Sequence, residues 1–126
     1  MFKIEGTTIY LTRGDICTIG ISIDNNDRTP YVFQNGDIIR LCIYEKKNFN
    51  KLLLQKDVIV TEEDLTEIDL NLTQSDTKIG EITNKPVEYW YQITLNPDTN
   101  PQTIIGYDEN GSKSFILYPE GVEGDD

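Results

Sequence analysis

Residues Tyr31–Glu45, YVFQNGDIIRLCIYE, decide the fold. Asn35, Gly36 and Asp37 carry turn chemistry, because Gly and Asn accept a positive φ at little cost. Beyond that turn, Ile39, Leu41 and Ile43 fall on one side of an extended chain, with Ile38, Arg40, Cys42 and Tyr44 on the other. A period of two over this length specifies a strand with one buried face, and a slip of one residue would turn the apolar set outward. Such a strand needs a second layer laid against it.

The flanking segments supply that layer. Upstream, Thr7–Leu11 reads as a short strand with Ile9 and Leu11 on one face. In Ile16–Asp24, Cys17, Ile19, Ile21 and Ile23 alternate with Thr18, Gly20 and Ser22. Asp24–Asp27 is a run of turn residues, and Pro30 holds Thr29 extended. Downstream, Lys46–Lys51 (KKNFNK) reads as a polar loop tip and Leu52–Val60 as a further apolar run. Glu67–Leu72 alternates perfectly, and Thr73–Thr77 offers one turn of helix, with Thr73 capping and Asp76 at the third helical position. Val87–Leu95 is an aromatic strand with Val87, Tyr89, Tyr91, Ile93 and Leu95 on one face. Gln102–Tyr107 and Ser112–Tyr118, separated by Asp108–Gly111, read as a closing hairpin.

The sum is about seven or eight strands, with turn signals roughly every ten residues and little helix. That predicts an all-β fold, a two-sheet antiparallel β-sandwich, with a small barrel as the second solution. Residues 1–120 form a single domain in this reading, and Gly121–Asp126 is an acidic, flexible C-terminal end.

Eleven basic against 22 acidic side chains give a net charge of −11. Nucleic-acid tracking and attachment to anionic membranes both need clustered cations, so neither is expected. The charge suits a protein that repels its own copies or meets a basic partner. MFKIEGTTIY has neither the basic start nor the apolar run of a signal peptide, and no stretch is long enough to span a bilayer. The expectation is a chain made in the cytoplasm that leaves only within an assembly.

No histidine occurs, which removes triads, His-metal sites and the commonest general base together. Cys17 and Cys42 sit in apolar strand patterns and read as buried thiols, pairing only if their strands are neighbours. Carboxylates are many, but none is marked as a catalytic pair. Asp24–Asp27 and Asp108–Asn110 are oxygen-rich enough for a hard cation, yet both lie where turns are expected, and the turn reading outweighs the cation. No cofactor, metal or catalytic residue is assigned. Trp90 has the opposite parity to Tyr89 and Tyr91, and so shares a face with Glu88 and Gln92. Those three are the candidate interaction surface, either a protein contact or an aromatic platform for carbohydrate; a Trp half-buried between strand and loop is the plainer reading.

Ile9–Asp15, Pro30–Tyr31 before Asn35–Leu41, then Leu72–Thr77, Tyr91–Ile93 and Thr103–Ile105 occur in that order along the chain. This succession resembles the N-terminal domain of phage baseplate upper proteins and related small domains of tailed phages and prophages of Gram-positive bacteria. The resemblance extends from Ile9 to about Tyr118, and departs from the family between Thr77 and Glu88, where the approach to the aromatic strand is longer. It implies an Ig-like sandwich without enzymatic activity, a virion attachment module whose partners are other virion proteins or further copies of itself.

Overall fold

A computed structural model describes residues 1–120. The expected acidic C-terminal end, 121–126, lies outside the described residues. The described residues are all-β: β1 (Phe2–Glu5), β2 (Thr8–Thr12), β3 (Cys17–Ile21), β4 (Ile38–Glu45) and β5 (Asn48–Ile59). It continues as β6 (Ile68–Leu72), β7 (Val87–Leu95), β8 (Gln102–Ile105) and β9 (Lys113–Tyr118). Seven strands form one sheet in the order β1-β2-β9-β7-β4-β5, with β8 also on β7, while β3 and β6 form a two-stranded ribbon. The inward side chains of both make one core, from Ile9, Leu11, Leu41 and Phe115 to Ile19 and Leu70. The fold is a sandwich with layers of very unequal width.

β4 follows the pattern that predicted it, with Ile39, Leu41 and Ile43 buried, and it pairs on both sides, with β5 and β7. Gly36 has φ +99°, the left-handed conformation the turn requires. Asp37 fixes that turn. Its carboxylate accepts from the Tyr31 hydroxyl (2.8 Å), the Gln34 amide (2.9 Å) and the Asn96 side chain (3.1 Å). Asn96 in turn accepts from the Ile38 amide at 2.9 Å, so one part-buried network ties the start of β4 to the end of β7.

Several expectations are corrected. The sandwich is not wholly antiparallel: β2 runs parallel to β9, with Ile9 opposite Phe115. These strands come from opposite ends of the domain, so no hairpin dictates their direction. β8 and β9 do not form a hairpin together; both pair antiparallel with β7, β8 along Ile93–Leu95 and β9 along Val87–Tyr91. They are successive pieces of one edge, interrupted where Asp108 and Gly111 close a tight turn. Lys113 begins β9 on the core side and sends its ammonium back to Asp108 at 2.8 Å.

The polar loop tip shrinks to Lys46–Lys47, with Lys47 at φ +65°, and Asn48 already belongs to β5. β1 is a strand the sequence reading omits; Gly6 at φ +62° turns it onto β2. Thr73–Thr77 closes a turn without becoming a helix. Its reciprocal capping bonds nonetheless form, Thr73 N–H to Asp76 at 2.9 Å and Asp76 N–H to the Thr73 hydroxyl at 3.2 Å. Cys17 and Cys42 are both buried free thiols, on strands of different sheets. Burial pushes the Cys17 thiol up to about 11.

Candidate functional site on the outer face of the large sheet

Over β4, β7 and β9 the inner face of the seven-stranded sheet is committed to the core, so its chemistry must be sought on the other face. Period two places Glu88, Trp90 and Gln92 there, all half-buried, while Tyr89, Tyr91 and Ile93 point inward. The structure therefore brings the three candidate residues together on one strand face. It adds two residues that the expected surface of Glu88, Trp90 and Gln92 did not include. Tyr44 lies directly opposite Trp90 across the β4–β7 pair. Phe49 reaches both rings, 4.9 Å from Trp90 with the planes tilted by 37°, and 5.3 Å from Tyr44 in an edge-on arrangement.

Local backbone irregularity explains Phe49. The β4–β5 register shifts between Ile43 and Tyr44 and again between Tyr44 and Glu45, so extra β5 residues oppose the end of β4. Those shifts swing the beginning of β5 over the aromatic pair. The visible signal was an aromatic residue inside an otherwise polar hexapeptide, KKNFNK.

The polar groups around the rings satisfy one another. The Gln92 amide donates to the Tyr44 hydroxyl at 3.2 Å. Glu88 accepts from Ser114 at 2.5 Å and pairs with Lys46 at 2.9 Å; these bonds, the Ser114 hydroxyl first, hold its carboxyl below the usual range. Farther along the same face, Arg40 forks onto Asp57 at 2.8 and 2.9 Å and reaches Asp98 at 3.2 Å. Cys42 is buried between its cross-strand partners Gln55 and Gln92. Phe49 and Leu52 remain exposed at the rim.

An open cleft of about 1240 Å³ lies at the end of the sheet, between the β4–β5 turn and residues 80–86. Its floor includes Leu53, Val87 and Tyr89. At its rim Glu45 is held by Lys51 (3.1 Å) and Glu88 by Lys46, so those carboxylates are engaged as counter-ions.

The two oxygen-rich loops are turns. Asp27 accepts from the amide and hydroxyl of Thr29 at 3.0 and 2.5 Å, and Asp108 from the Asn110 amide and Lys113, both at 2.8 Å. Among the described residues no group of three or more His, Cys, Asp or Glu is placed to hold a metal ion, and no helix is long and apolar enough to cross a membrane. Comparison of the chain with protein-family models, with curated proteins and with solved structures finds no match.

Proposed function

We propose that this chain is a non-enzymatic docking module of a virion, a tail or baseplate attachment domain made in the bacterial host cytoplasm and acting through contacts with other virion proteins. The observation that carries the docking part is the aromatic group Tyr44–Phe49–Trp90, displayed on a rigid sheet face among polar groups already bonded to each other. Aromatic anchors surrounded by satisfied polar groups are what a protein interface needs, because little must be desolvated unpaired on contact. The virion part rests on the motif succession from Ile9 to Tyr118.

A carbohydrate platform is the second reading, favoured by an exposed aromatic rim beside Glu88 and Gln92. Two features weigh against it: Phe49 covers part of the Trp90 ring, and the carboxylate and amide that would grip sugar hydroxyls are taken by Lys46, Ser114 and Tyr44.

Density-gradient purification of particles from an induced prophage lysate, followed by mass spectrometry, tests the proposal. The chain is expected in the particle band at a fixed stoichiometry. Its absence from purified particles would count against the virion reading, and quenching of Trp90 fluorescence by cell-wall polysaccharide would favour the sugar.

A further inference from the structure

The unequal layers leave one flank of the sandwich uncovered. Lys56 of β5 pairs with Asp76, just past β6, at 2.8 Å, so β6 sits on the β5 side and β3 faces the β2–β1 side. On the β5 side the inward residues Leu54 and Val58 pack against the core. On the β1 side they do not. Phe2 and Ile4 stand opposite Leu11 and Ile9 and so point toward the inner layer, yet they are 37% and 45% exposed. Met1, which precedes them, is 50% exposed. Between β1 and β3 the inner layer is one strand too narrow.

β3 itself has a free backbone edge. Its partner is β6 alone, and no loop bonds to residues 17–21 from the other side among the described residues. Unpaired strand edges pair readily with an added strand. The outward face of the ribbon carries Thr18, Gly20, Asp69 and Asn71, with the Glu67 carboxylate lying over Gly20, 3.2 Å from where a Cβ would be. Neither Glu67 nor Asp69 has a cationic partner among the described residues.

From this we infer that the free edge of β3 accepts an extended segment of another protein, at least five residues long, with apolar side chains at alternate positions and Lys or Arg between them. Its backbone bonds to β3, its apolar side covers Phe2 and Ile4, and its cations face Glu67 and Asp69. A second copy of this chain is a poor occupant because both copies carry −11. This surface is separate from the aromatic face and stands or falls independently of it.

A fluorescein-labelled peptide KIKVKIK serves as the probe, with two controls: the scrambled KKIVIKK, and KIKVKIK N-methylated at alternate amides. Anisotropy titrations of the full chain are expected to show the alternating peptide binding at least about tenfold more tightly than either control. Hydrogen exchange at the β3 amides should slow on binding. Ile4→Lys, at an exposed position, should weaken binding about tenfold without moving the thermal midpoint. Equal binding of all three peptides would reduce the effect to charge and overturn the inference. So would no binding, unchanged β3 exchange, or full affinity in Ile4→Lys.

Discussion

The two faces of the large sheet are built by the same strands and meet opposite surroundings, the core on one side and solvent on the other. In β7 the inward residues Tyr89, Tyr91, Ile93 and Leu95 are buried, whereas Glu88, Trp90, Gln92 and Thr94 on the other side are half-exposed. β4 divides likewise, with Leu41 and Ile43 inward and Arg40 and Tyr44 outward. A strand's period of two lets one chain segment stabilise with one face and present a surface with the other. Substitutions on the two faces should therefore separate: inner ones cost stability, and outer ones cost contacts.

The largest effect belongs to the inner face. Phe115 is fully buried and opposite Ile9 across the parallel pair. Phe115→Ala should lower unfolding free energy by about 3–5 kcal/mol, read from urea denaturation at constant slope. An unchanged midpoint would mean that the β2–β9 pairing is wrong. Next comes the network that joins the start of β4 to the end of β7. Asp37→Ala strands Tyr31, the Gln34 amide and Asn96 without their acceptor, and should cost about 2–4 kcal/mol.

Acid should find the same network. Burial by itself raises the Asp37 and Asp76 carboxyls. The bonds they accept, from Gln34, Tyr31 and Asn96 and from Lys56 and Thr73, outweigh it and hold both below the ordinary 3.8. A carboxyl lowered in the folded state contributes stability above its unfolded pKa and loses it as pH falls. The urea midpoint should thus be insensitive to these groups above about pH 5 and decline below about pH 4, and Asp37→Ala should flatten that decline. An identical acid profile in the variant would remove Asp37 from the account.

Outer-face changes are smaller. Arg40→Ala breaks the fork to Asp57 and the contact with Asp98, in which the Arg40 side chain is largely covered while Asp98 stays solvated, and should cost about 1 kcal/mol, shrinking further at 0.5 M salt. A loss comparable to Phe115→Ala would mean that this face, too, is structural.

The alternation that lays out these faces was legible wherever apolar and polar residues strictly interchange. β6, IDLNL, and β7, VEYWYQITL, occupy nearly the spans that pattern predicts, and Trp90 falls on the face opposite Tyr89 and Tyr91. What escaped depends on partners distant in sequence. β1 is four exposed residues whose only signal is Gly6. The parallel β2–β9 pair and the splitting of the expected last hairpin are choices of neighbour, which alternation does not encode. The Asp37 network needs Asn96, 59 positions away, and Phe49 joined the site only through register shifts inside β5. The candidate surface was thus half readable: Glu88, Trp90 and Gln92 from parity, Tyr44 and Phe49 only from the folded sheet.

Phe49→Ser tests the division of labour most directly, because Phe49 sits at the exposed rim of the aromatic group and outside the core. Measured on one preparation, its urea midpoint should correspond to a loss within about 1 kcal/mol, while its recovery in the purified particle band falls at least about tenfold below the parent chain. Full recovery in the particle band, or a stability loss as large as that of Phe115→Ala, would contradict the claim that the outer face is the docking surface.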